Sequence, residues 1–290
     1  MTENLTESLG NVVGSTVSPH LRVIAIIEEA QTTRQCLTVA ALASKIDPNA
    51  TLTALHVQVD PLRIVTAPEE ISLQWMRVKG EGTAQERAEQ AHRAFDQWVA
   101  FSQCDNAKWV ERVGTVEATV AKEAQAADLL VIARPQNLDA SDAFHAAIFS
   151  SGKLVLFVPE PAPRRYEFNR HVAVAWKARP QARKAVQHSM PWLRSAGRVT
   201  LIGANEPDNS HDMDEVVEIL GTNGIVADVC HVRTSSQEQV AERILRETET
   251  IGADLLVMGA YRFGMIVEWV LGGVTHEIVA KAKVPVLMMH

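Results

Sequence analysis

The feature that most constrains this chain is that it repeats itself. The pentapeptide Ala-Asp-Leu-Leu-Val stands at 127–131 and again at 253–257. Each copy leads, after a helix-length stretch, to a second apolar run: "KLVLFVPEP" from Lys153 and "VPVLMMH" from Val284. Each is preceded, far upstream, by an apolar opening: "LRVIAII" from Leu21 and "RHVAVAW" from Arg170. A chain that repeats its order of elements folds as copies of one unit, and missing the repeat misreads the fold. "PEPAPRRYEFNR", residues 159–170, joins the copies with three prolines and several charges, the composition of an exposed linker. The expected organisation is a flexible tail at 1–19, a first domain at 20–160, a linker at 161–167 and a second domain at 168–290.

The second half alternates regularly. "HVAVAW" is short and valine-rich, a strand. "PQARKAVQHSMPWLRSA" sets Ala182, Ala185, Val186, Met190 and Leu193 at helical spacing and predicts a helix. "RVTLIGA", "IVADVCHV", "DLLVMG" and "VPVLMM" read as further strands. Between them lie a helix stopped by glycine ("MDEVVEILGTNG"), an amphipathic helix capped by Ser235 or Ser236, and a last helix in "MIVEWVLGGVTHEIVAKAK". Strands alternating with helices imply a parallel sheet covered on both faces, which suits near-continuous apolar strands. The first half follows the same order with an insertion at 60–82, after its second strand. An insertion at the carboxyl end of a strand is either a lid or interface segment, or a plain surface excursion.

Composition bounds the function classes. A chain of 290 residues, 47% hydrophobic and 22% charged, suits two globular cores that need no disulfides. A net charge of −7 leaves no basic excess, so no nucleic-acid partner is expected. No apolar run approaches the roughly 20 residues that span a bilayer. The acidic, polar start "MTENLTESLGNVVGSTVSPH" has neither the basic nor the apolar region of a signal peptide. A cytoplasmic protein without membrane contact is expected. Cys36, Cys104 and Cys230 are odd in number and far apart, the pattern of free thiols. His211, Asp212 and Asp214 read as a solvated helix start, and no metal is expected. No GxSxG elbow, HExxH or Walker loop occurs. Trp75, Trp98, Trp109, Trp176, Trp192 and Trp269 read as core or interface residues, and His290, at the terminus, as unordered.

The five-strand α/β unit ending in "ADLLVMGAY…LGGVTHEIVAKAKVPVLMM" resembles the universal stress protein family. The whole of 20–290 resembles a tandem member with two such domains. The resemblance implies an α/β protein of two Rossmann-like, flavodoxin-like doubly wound five-stranded parallel sheets, each of order 3-2-1-4-5, on the adenine nucleotide alpha-hydrolase-like plan. It implies that the domains pair through their last strands as an intramolecular pseudo-dimer; a homodimer and unknown protein partners also fit the family.

Many members bind ATP through Gly-x2-Gly-x9-Gly-Ser/Thr. In a doubly wound sheet, ligands lie beyond the strand carboxyl ends where strand order reverses, here between strands 1 and 4. Glycine after strand 4 lets backbone N–H groups approach phosphate, and the next helix adds free N–H groups and a favourable dipole. Laid on this pattern, Gly259 matches the first glycine, Arg262 stands at the second, Gly272 matches the third, and Gly273 replaces the serine or threonine. Arg262 either fills the phosphate space or binds phosphate through its guanidinium. Gly264 is displaced by two residues, and Thr275 is the hydroxyl nearest the lost one. After strand 1, nucleotide-binding members carry an acid near the nucleoside. Here Lys177 takes that place, and Trp176 either stacks on a base or fills the pocket. The first domain keeps none of the glycine loop: Ala133 and Gln136 stand at the glycine positions, with Glu28 or Glu29 near the acidic one.

The resemblance thus leads to a stress-response binding and regulatory module, not an enzyme, with a degenerate adenine-nucleotide site in the second domain. The alternative is a genuine ATP or AMP sensor that uses Arg262 as its phosphate contact. A slow ATP hydrolase is the remote third reading, with no general base or metal ligand to support it. The expected site residues are Gly259, Arg262, Gly272, Gly273, Thr275, Trp176 and Lys177.

Overall fold

The computed structural model describes residues 20–64, 67–102, 104, 106–160, 167–204, 211–232, 238–261 and 273–290. The first half holds strands β1 (Arg22–Ile26), β2 (Thr51–Gln58), β3 (Ala107–Val113), β4 (Leu129–Ala133) and β5 (Leu154–Val158). Its helices are α1 (Ala30–Ser44), α2 (Pro68–Glu81), α3 (Ala84–Ser102), α4 (Val116–Glu123) and α5 (Leu138–His145). The second half holds β6 (His171–Trp176), β7 (Arg198–Ala204), β8 (Ala227–Val232), β9 (Leu255–Gly259) and β10 (Val286–Met289). Its helices are α6 (Pro180–His188), α7 (Met190–Ser195), α8 (His211–Thr222), α9 (Glu238–Thr250) and α10 (Gly273–Lys281).

All ten strands join one sheet, ordered β3-β2-β1-β4-β5-β10-β9-β6-β7-β8. Within each half the pairing is parallel and the order is 3-2-1-4-5, as the resemblance implied. At the seam β5 and β10 run antiparallel, with Leu156 opposite Leu287.

The repeated pentapeptide has a physical role that is the same in both halves. Its aspartate sits at the foot of strand 4 and holds the start of strand 1. Asp128 accepts the Arg22 amide at 3.0 Å and the Arg22 guanidinium at 2.9 Å. Asp254 accepts the Arg170 amide at 3.1 Å. The apolar residues that follow are buried on both faces, as the middle strands of a doubly covered sheet must be. Alternate residues serve opposite faces. Leu129, Val131, Leu255, Val257 and Leu287 pack under α1, α3, α6, α7 and α8, while Leu130, Ile132, Leu256, Met258 and Met288 pack under α4, α5, α9 and α10. Both cores run across the seam without interruption.

Side chains fasten the seam as well. The Trp192 indole of α7 is fully buried and donates to the Ala43 carbonyl at the end of α1, 3.0 Å away. Arg134 donates to Glu160 and, across the halves, to the Ala282 carbonyl, each at 3.2 Å. His290 is ordered, contrary to expectation. Its ring meets the Ala260 carbonyl at 3.0 Å and packs edge-on against Phe149 of the first half, because β10 carries it into the seam.

The helix expected over 180–196 is two helices. Pro191 lacks the N–H that a continuous helix needs, and the chain breaks at Ser189. Among the described tryptophans, Trp75 is exposed and the others are at least half buried. No described helix is long and apolar enough to cross a membrane.

Candidate functional site

The ligand crevice of a doubly wound sheet lies between the ends of strands 1 and 4. In the second half these are β6 and β9. Trp176, the last residue of β6, is 2% exposed and belongs to the core beneath α6. Gly259 ends β9 and is pressed by its neighbours. A Cβ there would stand 2.7 Å from the Ala182 amide nitrogen and 2.8 Å from the Tyr261 Oη. Glycine is therefore required, because the first turn of α6 lies almost on the strand. The same contacts show the Tyr261 phenol folded back over Gly259. Burial raises the Tyr261 pKa, with the Arg179 charge acting against the rise. The Tyr261 amide donates to the Thr275 hydroxyl at 3.1 Å, so the fully buried Thr275 ties the loop to α10. Lys177 is exposed at the rim, and Gly273 is exposed at the first turn of α10 with open space around it. The structure thus brings Trp176, Gly259 and Thr275 to one end of the sheet. Arg262, Gly264, Trp269 and Gly272 lie outside the described residues.

In the first half the crevice lies between β1 and β4, and a polar cluster fills it. Glu28 and Glu29 follow β1 and are each 8% exposed. Asp139 stands in the first turn of α5, after β4, where the helix dipole favours an anion. The 60–82 insertion supplies α2, which lies over this mouth and reaches in with two side chains one turn apart. Gln74 donates to Asp139 at 2.6 Å, and Arg77 forms a buried ion pair with the same carboxylate. Arg77 also pairs with Glu81 on its own helix at 2.6 Å. Arg87 of α3 donates to the Gln74 side chain at 3.3 Å and to the Gly82 carbonyl at 2.8 Å. The Gln136 amide, at the position of the second loop glycine, donates to Glu29 at 3.1 Å. Where a phosphate-binding loop offers a free N–H at this position, this one has committed the Gln136 amide.

Glu28 is the strained member. Its Oε1 is buried without a hydrogen-bond partner. Burial and then the Asp139 charge push its pKa well up, while the Val57 amide and Arg77 oppose. The sign of the pH effect follows. Above the ordinary carboxylate range the unfolded chain loses this proton while the folded chain keeps it, so stability falls as pH rises from that range toward the raised folded value. Glu28→Gln removes that dependence. It is expected to stabilise the protein by about 1–2 kcal/mol at pH 8 and by little at pH 4. Thermal unfolding at the two pH values checks it, and an equal effect at both would refute it. His56 of β2, also buried, has its pKa lowered by burial, with the Ile27 carbonyl opposing at 2.6 Å.

Cys36 is buried, and burial pushes its thiol up to about 12; Cys104 and Cys230 are half-buried, and none of the three is in a disulfide. Sequence reading took Tyr261 only as a spacer of the glycine loop and did not name the cluster of Gln74, Arg77 and Asp139. The one available signal was Gln74 and Arg77, three residues apart on the inserted segment and so on one helix face.

Residues 171–290 match the family model described as the universal stress protein family. Among solved structures, a universal stress protein from Archaeoglobus fulgidus DSM 4304 is 17% identical. That alignment covers 92% of this chain and 97% of that one, with a TM-score of 0.62. A protein of unknown function from Pseudomonas aeruginosa PAO1 is 10% identical over 93% of this chain and 92% of its own, with a TM-score of 0.54. At these identities the likeness is one of fold, and it extends over both halves. A comparison with curated protein sequences returns no match.

Proposed function

Because the second half belongs to the universal stress protein family and the first repeats its fold, we propose that this chain is a stress-response binding and regulatory module whose adenine-nucleotide site is degenerate, and not an enzyme. One observation carries the reading: the chain's own side chains take up both crevices. In the second half the Tyr261 phenol folds back over Gly259, and Trp176 is packed into the core beneath α6, so that its ring is not free to stack on a base. In the first, Arg77 and Asp139 hold the mouth shut. We read the β5–β10 pairing as an intramolecular pseudo-dimer. It uses both last strands, which assigns any protein partner to other surfaces. Three cysteines outside any disulfide fit a reducing, cytoplasmic setting.

The test is calorimetric titration of the full chain with ATP, ADP and AMP, after mass spectrometry has excluded carried-over ligand. Affinity weaker than about 100 μM is expected, unchanged by Arg262→Ala. Micromolar binding that Arg262→Ala weakens strongly would replace this reading with an ATP or AMP sensor. Phosphate release above background that co-elutes with the folded chain through purification would replace it with a hydrolase.

A further inference from the structure

The first-half crevice is built differently from a phosphate cradle. Its lining is acidic: Asp139 is 4% exposed, Glu28 and Glu29 are 8% exposed, and the Gln74 amide is 1% exposed. A group of carboxylates alone would argue nothing. Here, however, Glu28 Oε1 is a buried acceptor with no partner, and the nearest opposite charge acting on it is Arg77. An unpaired buried acceptor is costly, and a hydrogen-bond donor is what it lacks. The occupant of the crevice is already a cation, the Arg77 guanidinium.

That occupant arrives on a removable element. No described residue of α2 belongs to either core. Its outer face leaves Trp75 and Met76 44% and 59% exposed, and Gly82 ends it at φ 88°. The buried contacts of α2 are polar, Gln74 and Arg77 to Asp139, with Arg87 donating to Gln74 and Gly82, while its apolar Ile71, Leu73 and Val78 are only partly buried. An element without core packing opens at a lower free energy than the sheet beneath it. Arg77 would leave with a partner, because Glu81 lies on the same helix. Asp139 would lose its partners on α2, and Glu28 Oε1 would still have none. Among the described residues, the charges of Glu29, His56 and Arg87 also act on this cluster.

We propose that the first-half crevice is a self-liganded cation site, filled by the Arg77 guanidinium while α2 is down and by an alkylguanidinium or alkylammonium ion when α2 lifts. The ligand class follows from the present occupant: a flat fork of donors that pairs with the Asp139 carboxylate, as the Arg77 guanidinium does, and a short alkyl stem in place of the Arg77 methylenes. The proposal stands apart from the nucleotide reading, since it concerns the other half and needs no phosphate.

Arg77→Ala empties the crevice. Thermal unfolding and calorimetry of the full-length variant are to be run with propylguanidinium and propylammonium, with inorganic phosphate and tetramethylammonium as controls. Millimolar binding of the first two is expected, at least about tenfold tighter than to the wild type. Adding Asp139→Asn is expected to abolish it. A folded Arg77→Ala protein that binds neither cation overturns the proposal, as does binding that survives Asp139→Asn or is matched by a control ion. If Arg77→Ala does not fold alone, recovery of the fold on adding propylguanidinium supports the site. Arg77→Met, which keeps the apolar stem, then gives the same two outcomes.

Discussion

Gly259→Val is expected to unfold the second half, with a loss above about 3 kcal/mol, and Gly259→Ala to cost about 2–3 kcal/mol. The reason is the identity of the atoms a side chain would meet. Two of the three nearest are backbone: the Ala182 nitrogen at 2.7 Å and the Gln181 carbonyl carbon at 2.9 Å. A flexible side chain can turn aside, as the Tyr261 phenol can. The first turn of α6 cannot, because Ala182, Ala185 and Val186 anchor that helix in the core. Relief would require α6 to rise off β9, opening voids along the central strand. Gly273 is the internal control. It is exposed, nothing lies within 4 Å of a Cβ there, and it occupies a helical position. Gly273→Ala is expected to be neutral or to stabilise by up to about 1 kcal/mol. Urea unfolding of the three variants measures the contrast, and a Gly259→Ala protein as stable as the wild type would show that α6 does not press on the strand.

The second large effect is expected at Trp192. Its indole is 2% exposed, the bulkiest of the fully buried side chains, and spans from α7 to the end of α1. Trp192→Ala removes apolar contact and leaves a cavity between the halves, for a loss of about 3–5 kcal/mol. Trp192→Phe keeps much of the volume and loses the N–H donated to Ala43, leaving that carbonyl unpaired, for about 1–2 kcal/mol. Because the indole joins the two halves, the Ala variant is also expected to unfold in two steps where the wild type unfolds in one. Denaturation followed by circular dichroism and by the remaining tryptophans' fluorescence would show the separation. Coincident transitions in the Ala variant would place the coupling elsewhere, in the β5–β10 pairing.

The degree to which the crevices were legible differs between the halves. Gly259, Trp176 and Thr275 could be found because they follow recognisable strands at fixed spacing, and the structure gathers them at one end of the sheet. What Trp176 and Thr275 do there could not be read. A tryptophan at a strand end is equally able to stack on a base or to bury itself, and only packing under α6 separates the two. In the first half Glu28 and Glu29 follow a recognisable strand, but the groups that act on them lie far along the chain: the Gln136 amide donates to Glu29 from 107 residues away, and the Asp139 charge acts on Glu28. No local pattern announces such a meeting. The break at Ser189 was legible in Pro191 and was overridden by the apolar spacing on either side of it.

The sequence by itself determined the doubling, the alternation of strands and helices, and the placement of buried strands. Each of these follows from periodicity and from the local chemistry of repeated residues such as Asp128 and Asp254. Tertiary structure alone decided that α2 comes down over the first crevice and that Tyr261 turns back into the second, whereas the family resemblance already implied that the halves meet through their last strands. These outcomes depend on contacts between residues distant in the chain, where burial and charge pairing select one arrangement from several that the local sequence permits equally.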